Sequence, residues 1–173
     1  MSIIGSGYDR ASKAFHWLMA IIILYTTIAG YGMHFTTVGS PTFNFLSTLN
    51  MSLATIAVPV FLARWVWKYF RPSFNDELNT SSFQKNMAKL IHSLMYFTMF
   101  GVFTSGFLML EHPYYFFWVI EINHFITEPE VSSFFFKVHR FSCLILASLV
   151  TLHILAVIHH HVIRKNKILK LMI

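Results

Sequence analysis

The chain has 173 residues, of which 55% are hydrophobic and only 12% charged, about half the charged share of a soluble globular domain. Nineteen Phe and nine Met add more apolar surface than a soluble core of this size can hide, which predicts an integral membrane protein. The net charge of +6 does not point to nucleic acid, because the Lys and Arg flank hydrophobic runs and form no patch of their own. The single cysteine, Cys143, excludes an internal disulfide and leaves the redox compartment open.

In chain order, residues 1–13 are short and polar, with Arg10 and Lys13 just before the first apolar run. That run predicts a helix over about 14–33, a length that fits a hydrocarbon core roughly 30 Å thick. It is too long for the h-region of a signal peptide, and no small-residue cleavage pattern follows it. Gly39-Ser40-Pro41 marks a turn. A second helix is expected over about 43–67, with a kink near Pro59, whose ring removes a backbone donor. The connection 68–89 is polar and holds Arg71-Pro72, Asp76 and Glu77. A third helix is expected over about 90–110. A loop over 111–134 then carries Pro113-Tyr-Tyr-Phe-Phe-Trp118, an aromatic cluster suited to the headgroup region and to a short interfacial helix. A fourth helix over about 137–161 closes the chain, followed by Arg164, Lys165, Lys167 and Lys170. With no internal repeat, one membrane domain accounts for 1–173. The expected fold is all-α, a four-helix up-down-up-down bundle.

Charge sets the expected orientation. Eleven of the thirteen cations fall on one side: Arg10, Lys13, Arg64, Lys68, Arg71, Lys85, Lys89 and the four of the tail. Only Lys137 and Arg140 fall on the other side, beside Glu111, Glu121, Glu128 and Glu130. The positive-inside rule then places both termini in the cytoplasm.

Ten histidines are many for a chain so poor in polar groups. His139 and His153 lie fourteen residues apart within the last apolar run. At about 100° per residue they leave nearly the same face, separated by roughly 21 Å along the axis. One helix thus presents an imidazole near each side of the membrane. His16 lies slightly inside the same end as His153, and His92 at a similar level on the third span. His34, His112 and His124 fall at or beyond outer helix ends. His159, His160 and His161 sit at the inner interface. An imidazole at membrane depth calls for a partner. That partner is either a neighbouring carbonyl or hydroxyl, or a bound group. Two imidazoles from facing helices make an axial pair for haem iron. The absence of other thiols argues against iron–sulfur or structural zinc, and the absence of carboxylates at depth argues against non-haem iron.

Three segments, Tyr8-Asp-Arg-Ala-Ser-Lys-Ala-Phe-His16-Trp-Leu-Met-Ala20, Lys89-Leu-Ile-His92 and His139…Leu152-His153-Ile-Leu-Ala-Val-Ile-His-His160-His161, resemble in order and spacing the bacterial cytochrome b561 family. These four-helix membrane cytochromes are related to the b-type subunits of nickel–iron hydrogenases and formate dehydrogenases. The resemblance implies two b haems, the inner one on His16 and His153, the outer one on His139 and a histidine early in the second span. Aligning Arg64 with the family's arginine puts Asn50 at that last position. The outer haem is then lost, held on His139 alone, or held with a substitute such as His34, eighteen residues from His16 and on the same face. The resemblance also implies a proton or quinone role for His92, with help from His160, and a haem-propionate contact for Arg64, whose alternative is a topogenic charge.

The function expected from this is single-electron transfer to or from the quinone pool in the bacterial inner membrane, in the manner of superoxide oxidation by relatives. The alternatives are a haem-bearing anchor subunit for a dehydrogenase or hydrogenase, which would copurify with a larger electron-donating subunit, and a membrane scaffold with degenerate haem sites. Expected partners are membrane lipid, quinone, an electron donor such as superoxide or a donor subunit, and a second copy in a homodimer, with no nucleic acid.

Overall fold

The computed structural model describes residues 8–71, 81–164 and 172. Among the described residues four helices are long and apolar enough to cross a membrane: α1 (Arg10–Gly32, extended by a 3-10 turn Met33–Phe35), α2 (Pro41–Phe70), α3 (Ser82–Leu108) and α4 (Pro129–Ile158, continued by a π turn His159–Ile163). Each extends beyond its predicted start, because a polar cap lies outside the apolar window. Asp9 caps α1, Ser40 caps α2 with Pro41 in its first turn, and Ser81 and Gln84 form a capping box at α3. Pro129 opens α4 with Glu130 in its first turn, where a carboxylate complements the positive end of the helix dipole. Gly39, at φ +83°, takes the left-handed conformation that turns α1 into α2. α2 continues as one helix through Pro59. Of the polar connection expected over 68–89, residues 68–70 belong to the end of α2 and 82–89 to the start of α3. Its Pro72, Asp76 and Glu77 lie outside the described residues, as do Lys165, Lys167 and Lys170.

The interfacial helix expected after α3 is instead a β-hairpin, β1 (Tyr114–Phe116) paired antiparallel with β2 (Ile120–Ile122). Phe117 and Trp118 turn it at φ 46° and 62°, a region that costs non-glycine residues about 1–2 kcal/mol each. The hairpin is held onto α2 by specific contacts. Phe117 N donates to Ser52 Oγ at 2.8 Å, and Trp118 stacks on Phe45 with centroids 5.3 Å apart. Thr55 Oγ1 already donates to the Met51 carbonyl, so at 2.7 Å it is the buried Tyr114 hydroxyl that donates to Thr55.

α1 packs along α2 and α3 along α4, so the closest backbone approaches lie within two helix pairs. Buried apolar side chains join the pairs at mid-depth: Met19, Ile22 and Ile23 of α1, Ala57 and Phe61 of α2, Met99 of α3 and Leu146 of α4. Phe61 contacts the rings of Tyr96 and Phe103 on α3. The other faces expose large apolar side chains such as Phe97, Phe100, Phe141 and Leu144, as lipid contact requires. Ser52, Thr98, Ser105, Ser148 and Thr151 satisfy their hydroxyls on carbonyls one turn back in their own helices, which removes bare donors from hydrocarbon.

Asp9 ties the inner ends of α1 and α2. It accepts from Ser12 N at 2.9 Å and from Trp67 Nε1 at 3.1 Å. Partial desolvation pushes its pKa up, but the bonds from Ser12 and Trp67 outweigh this and hold the carboxyl below its ordinary value. A depressed folded pKa contributes stability that is present above the unfolded value of about 3.9 and is lost as pH falls through the folded value. Asp9→Ala is therefore expected to cost about 1 kcal/mol at neutral pH. Thermal unfolding in detergent should show the gap from wild type narrowing below about pH 4. A gap that does not depend on pH would contradict the ionised cap.

Candidate functional site

The apolar mid-layer divides the bundle interior into two polar layers. The inner one lies at the end where both chain termini emerge. His16 is two turns into α1, Arg64 two turns before the end of α2, His92 in the third turn of α3, and His153 near the end of α4. These four side chains converge. Arg64 Nη2 lies 3.2 Å from His16 Nδ1, with its guanidinium 5.6 Å from the ring of Tyr96. The His92 and His153 rings pack with centroids 5.3 Å apart. His16 interacts electrostatically with Arg64, His153 and His92, and His153 with Arg64. His16, Arg64 and His153 are half-buried, whereas His92 keeps an exposed edge. Trp17, beside His16, donates from Nε1 to the Met172 carbonyl at 2.8 Å, so the C-terminal tail touches α1 at this end.

The hydrogen-bond roles follow from the donors. A guanidinium has no acceptor, so His16 Nδ1 accepts from Arg64 and the proton of the neutral ring sits on Nε2. Iron held at Nε2 needs that proton on Nδ1. The His16–Arg64 bond and ligation through Nε2 therefore exclude each other in a neutral ring. A carboxylate, such as a haem propionate, is the acceptor that would draw Arg64 away and free His16. Iron between His92 and His153 fits poorly. Two metal–nitrogen bonds of about 2.0–2.1 Å with both rings beyond them need centroids more than about 6 Å apart. With His16 on α1 facing His153 on α4, and a cation placed for a propionate, the inner donor set fits a haem.

The outer layer differs. His139 lies against α3, with Nδ1 3.1 Å from the Val102 carbonyl and 3.4 Å from Ser105 Oγ. A carbonyl only accepts, so Nδ1 donates and Nε2 carries the lone pair. Cys143 Sγ stands 3.4 Å from that Nε2, placed for its thiol to donate. Gly106 makes room for the ring: a Cβ there would lie 3.2 Å from His139 Cε1. Asn50 is on α2, its Oδ1 buried and without a hydrogen-bond partner among the described residues. The hairpin does not fill this place, since Thr55, which receives Tyr114, is turned about 140° from Asn50 around α2.

Other expected positions separate from these layers. His34 is exposed in the 3-10 turn beyond α1, its ring against Tyr31 at 6.5 Å. His160 falls within the π turn, where the α-helical register from His153 is broken, and its ring meets that of His159 at 5.6 Å. Sequence reasoning missed the Arg64–His16 bond and the whole outer shell of Val102, Ser105, Gly106 and Cys143. Two signals for them were present: Cys143 follows His139 by four residues, and Gly106 follows His92 by fourteen, the same spacing as His139 and His153.

No curated protein matches the chain. A family model described as prokaryotic cytochrome b561 matches residues 7–173, in accord with the four membrane-capable helices and the histidine layers within them. The chain therefore belongs to the prokaryotic cytochrome b561 family, multi-pass bacterial membrane proteins that bind b-type haem and carry electrons.

Proposed function

We propose that this protein holds a haem b in its inner layer, with His16 and His153 as axial ligands, and passes single electrons to a membrane quinone. The observation that carries this reading is the convergence of His16, Arg64, His92 and His153 from four different helices. The haem supplies one-electron redox chemistry. The chain's residues do the rest. His16 and His153 hold and orient the group, Arg64 anchors a propionate, and the mid-layer of Met19, Ala57 and Phe61 excludes water from one side. His92, with its exposed edge beside His153, faces the quinone and delivers protons to it. Reducing one quinone to quinol takes two electrons, from two molecules of a one-electron donor, and two protons. An imidazole, which can carry a proton on either ring nitrogen, suits that transfer. The cations gathered around the inner end, Arg10, Lys13, Arg64, Lys68, Arg71, Lys85, Lys89 and Arg164 among the described residues, support cytoplasmic termini in the inner membrane.

The test is the detergent-purified protein itself. It should show a low-spin b-type reduced-minus-oxidised spectrum, and its reduced form should be reoxidised by a water-soluble quinone. A colourless protein would remove the proposal, and a coloured one that quinone leaves reduced would remove its acceptor.

A further inference from the structure

From the outer layer we infer that this chain has no second haem, and that electrons both enter and leave it in the inner layer, at the end bearing the termini. The inference rests on the inner-haem proposal and extends it.

The outer residues do not fit an axial pair. Every contact described for His139 is with α3 or with its own helix: Val102 and Ser105 at one ring nitrogen, Cys143 at the other, Gly106 against the ring edge. The nitrogen that iron would need is the one facing the Cys143 sulfur. Across the bundle, Asn50 offers an amide oxygen, a hard donor suited to magnesium or calcium rather than to haem iron. That buried oxygen has no partner among the described residues and needs a hydrogen-bond donor such as a water. His34, the substitute suggested by spacing, is exposed beyond the end of α1.

The consequence concerns direction. His139 and His153 are fourteen residues apart on α4, roughly 21 Å along the helix. The interval is filled by Met19, Ile22, Ala57, Phe61, Met99 and Leu146, none of which takes up or releases an electron readily. Tunnelling falls exponentially with distance, so without an outer haem the outer face is cut off from the inner one. Donor and quinone must meet the same layer, and a donor confined to the outer aqueous side, such as superoxide formed there, cannot feed it.

Two measurements on the full chain test this. A pyridine haemochrome assay on the purified protein should give one haem per chain, and His139→Ala should keep that ratio. Two haems per chain, or a halving in His139→Ala, would overturn the inference while leaving the inner haem standing. A wild-type chain without haem would instead remove the inner-haem proposal. In sealed liposomes of mixed orientation, with orientation scored by protease cleavage of a C-terminal tag, dithionite outside should rapidly reduce only molecules whose termini face outward. The remainder should react on adding detergent. Rapid reduction of both populations would show a route from the outer face and sink the idea.

Discussion

His153→Ala is expected to leave the purified protein with less than about a tenth of the wild-type haem per chain. Losing a residue that only hydrogen-bonds to a metal ligand already weakens metal sites by about 10–100-fold, and losing the ligand itself removes more. In the inner layer no other ring can take the place of His153. His92 packs directly against it with centroids 5.3 Å apart and stands on α3, and the next histidines along α4 begin in the π turn at His159. The effect should be chemical rather than a failure to fold. His153 is only half-buried, and the packed centre formed by Met19, Ala57, Phe61, Met99 and Leu146 does not include it. Helical circular dichroism should therefore be retained. Imidazole added with haem should restore part of the low-spin spectrum by occupying the truncated space, a rescue that a purely structural role would not show. Unchanged low-spin absorption in the variant would contradict the ligand assignment.

The four spans were legible because a bilayer is a simple solvent. A run of apolar residues long enough to cross it leaves few alternatives, and the turn at Gly39 and the polar stretch after Arg71 divide the runs cleanly. The helix ends were not legible from hydropathy. The caps at Asp9, Ser40 and Ser81 lie in polar segments that an apolar window discards, although each has the cap chemistry that starts a helix. The hairpin gave no warning for a physical reason. Short hairpins normally announce themselves by Asn-Gly or Asp-Gly at the turn, and here Phe117 and Trp118 adopt left-handed backbone. Contacts distant in sequence, to Ser52 and Phe45, offset that strain.

Within the site, depth was readable and neighbours were not. Counting residues along each span put His16, His92 and His153 at one level and His139 at another, and the structure brings the first three together with Arg64. Rotation between helices decides which side chains touch, and one sequence does not contain it. Arg64 illustrates the difference. As a topogenic charge or a propionate anchor it needed no particular neighbour, yet its guanidinium donates to His16 and so sets the tautomer of a proposed ligand. His139 is the opposite case. Its spacing from His153 invited a symmetrical pair of metal centres, and only the positions of Val102, Gly106 and Cys143 turn its ring towards α3.

The second large effect is expected at His92. His92→Phe should retain the haem yet slow quinone reduction by about 100-fold, the lower range of what a positioned proton donor contributes. The two expectations separate its roles. As an axial ligand its loss would bleach the protein, and as a packing residue an aromatic ring of similar shape would leave turnover nearly intact. As the proton donor, its replacement should lower the rate of reoxidation by quinone without altering reduction by dithionite. His92→Gln keeps a hydrogen-bonding group but cannot exchange a proton near neutral pH, so it should be as slow as the phenylalanine variant. Stopped-flow reoxidation of the pre-reduced protein by a water-soluble quinone reads these rates. A glutamine variant as fast as wild type would show that protons reach the quinone by another path.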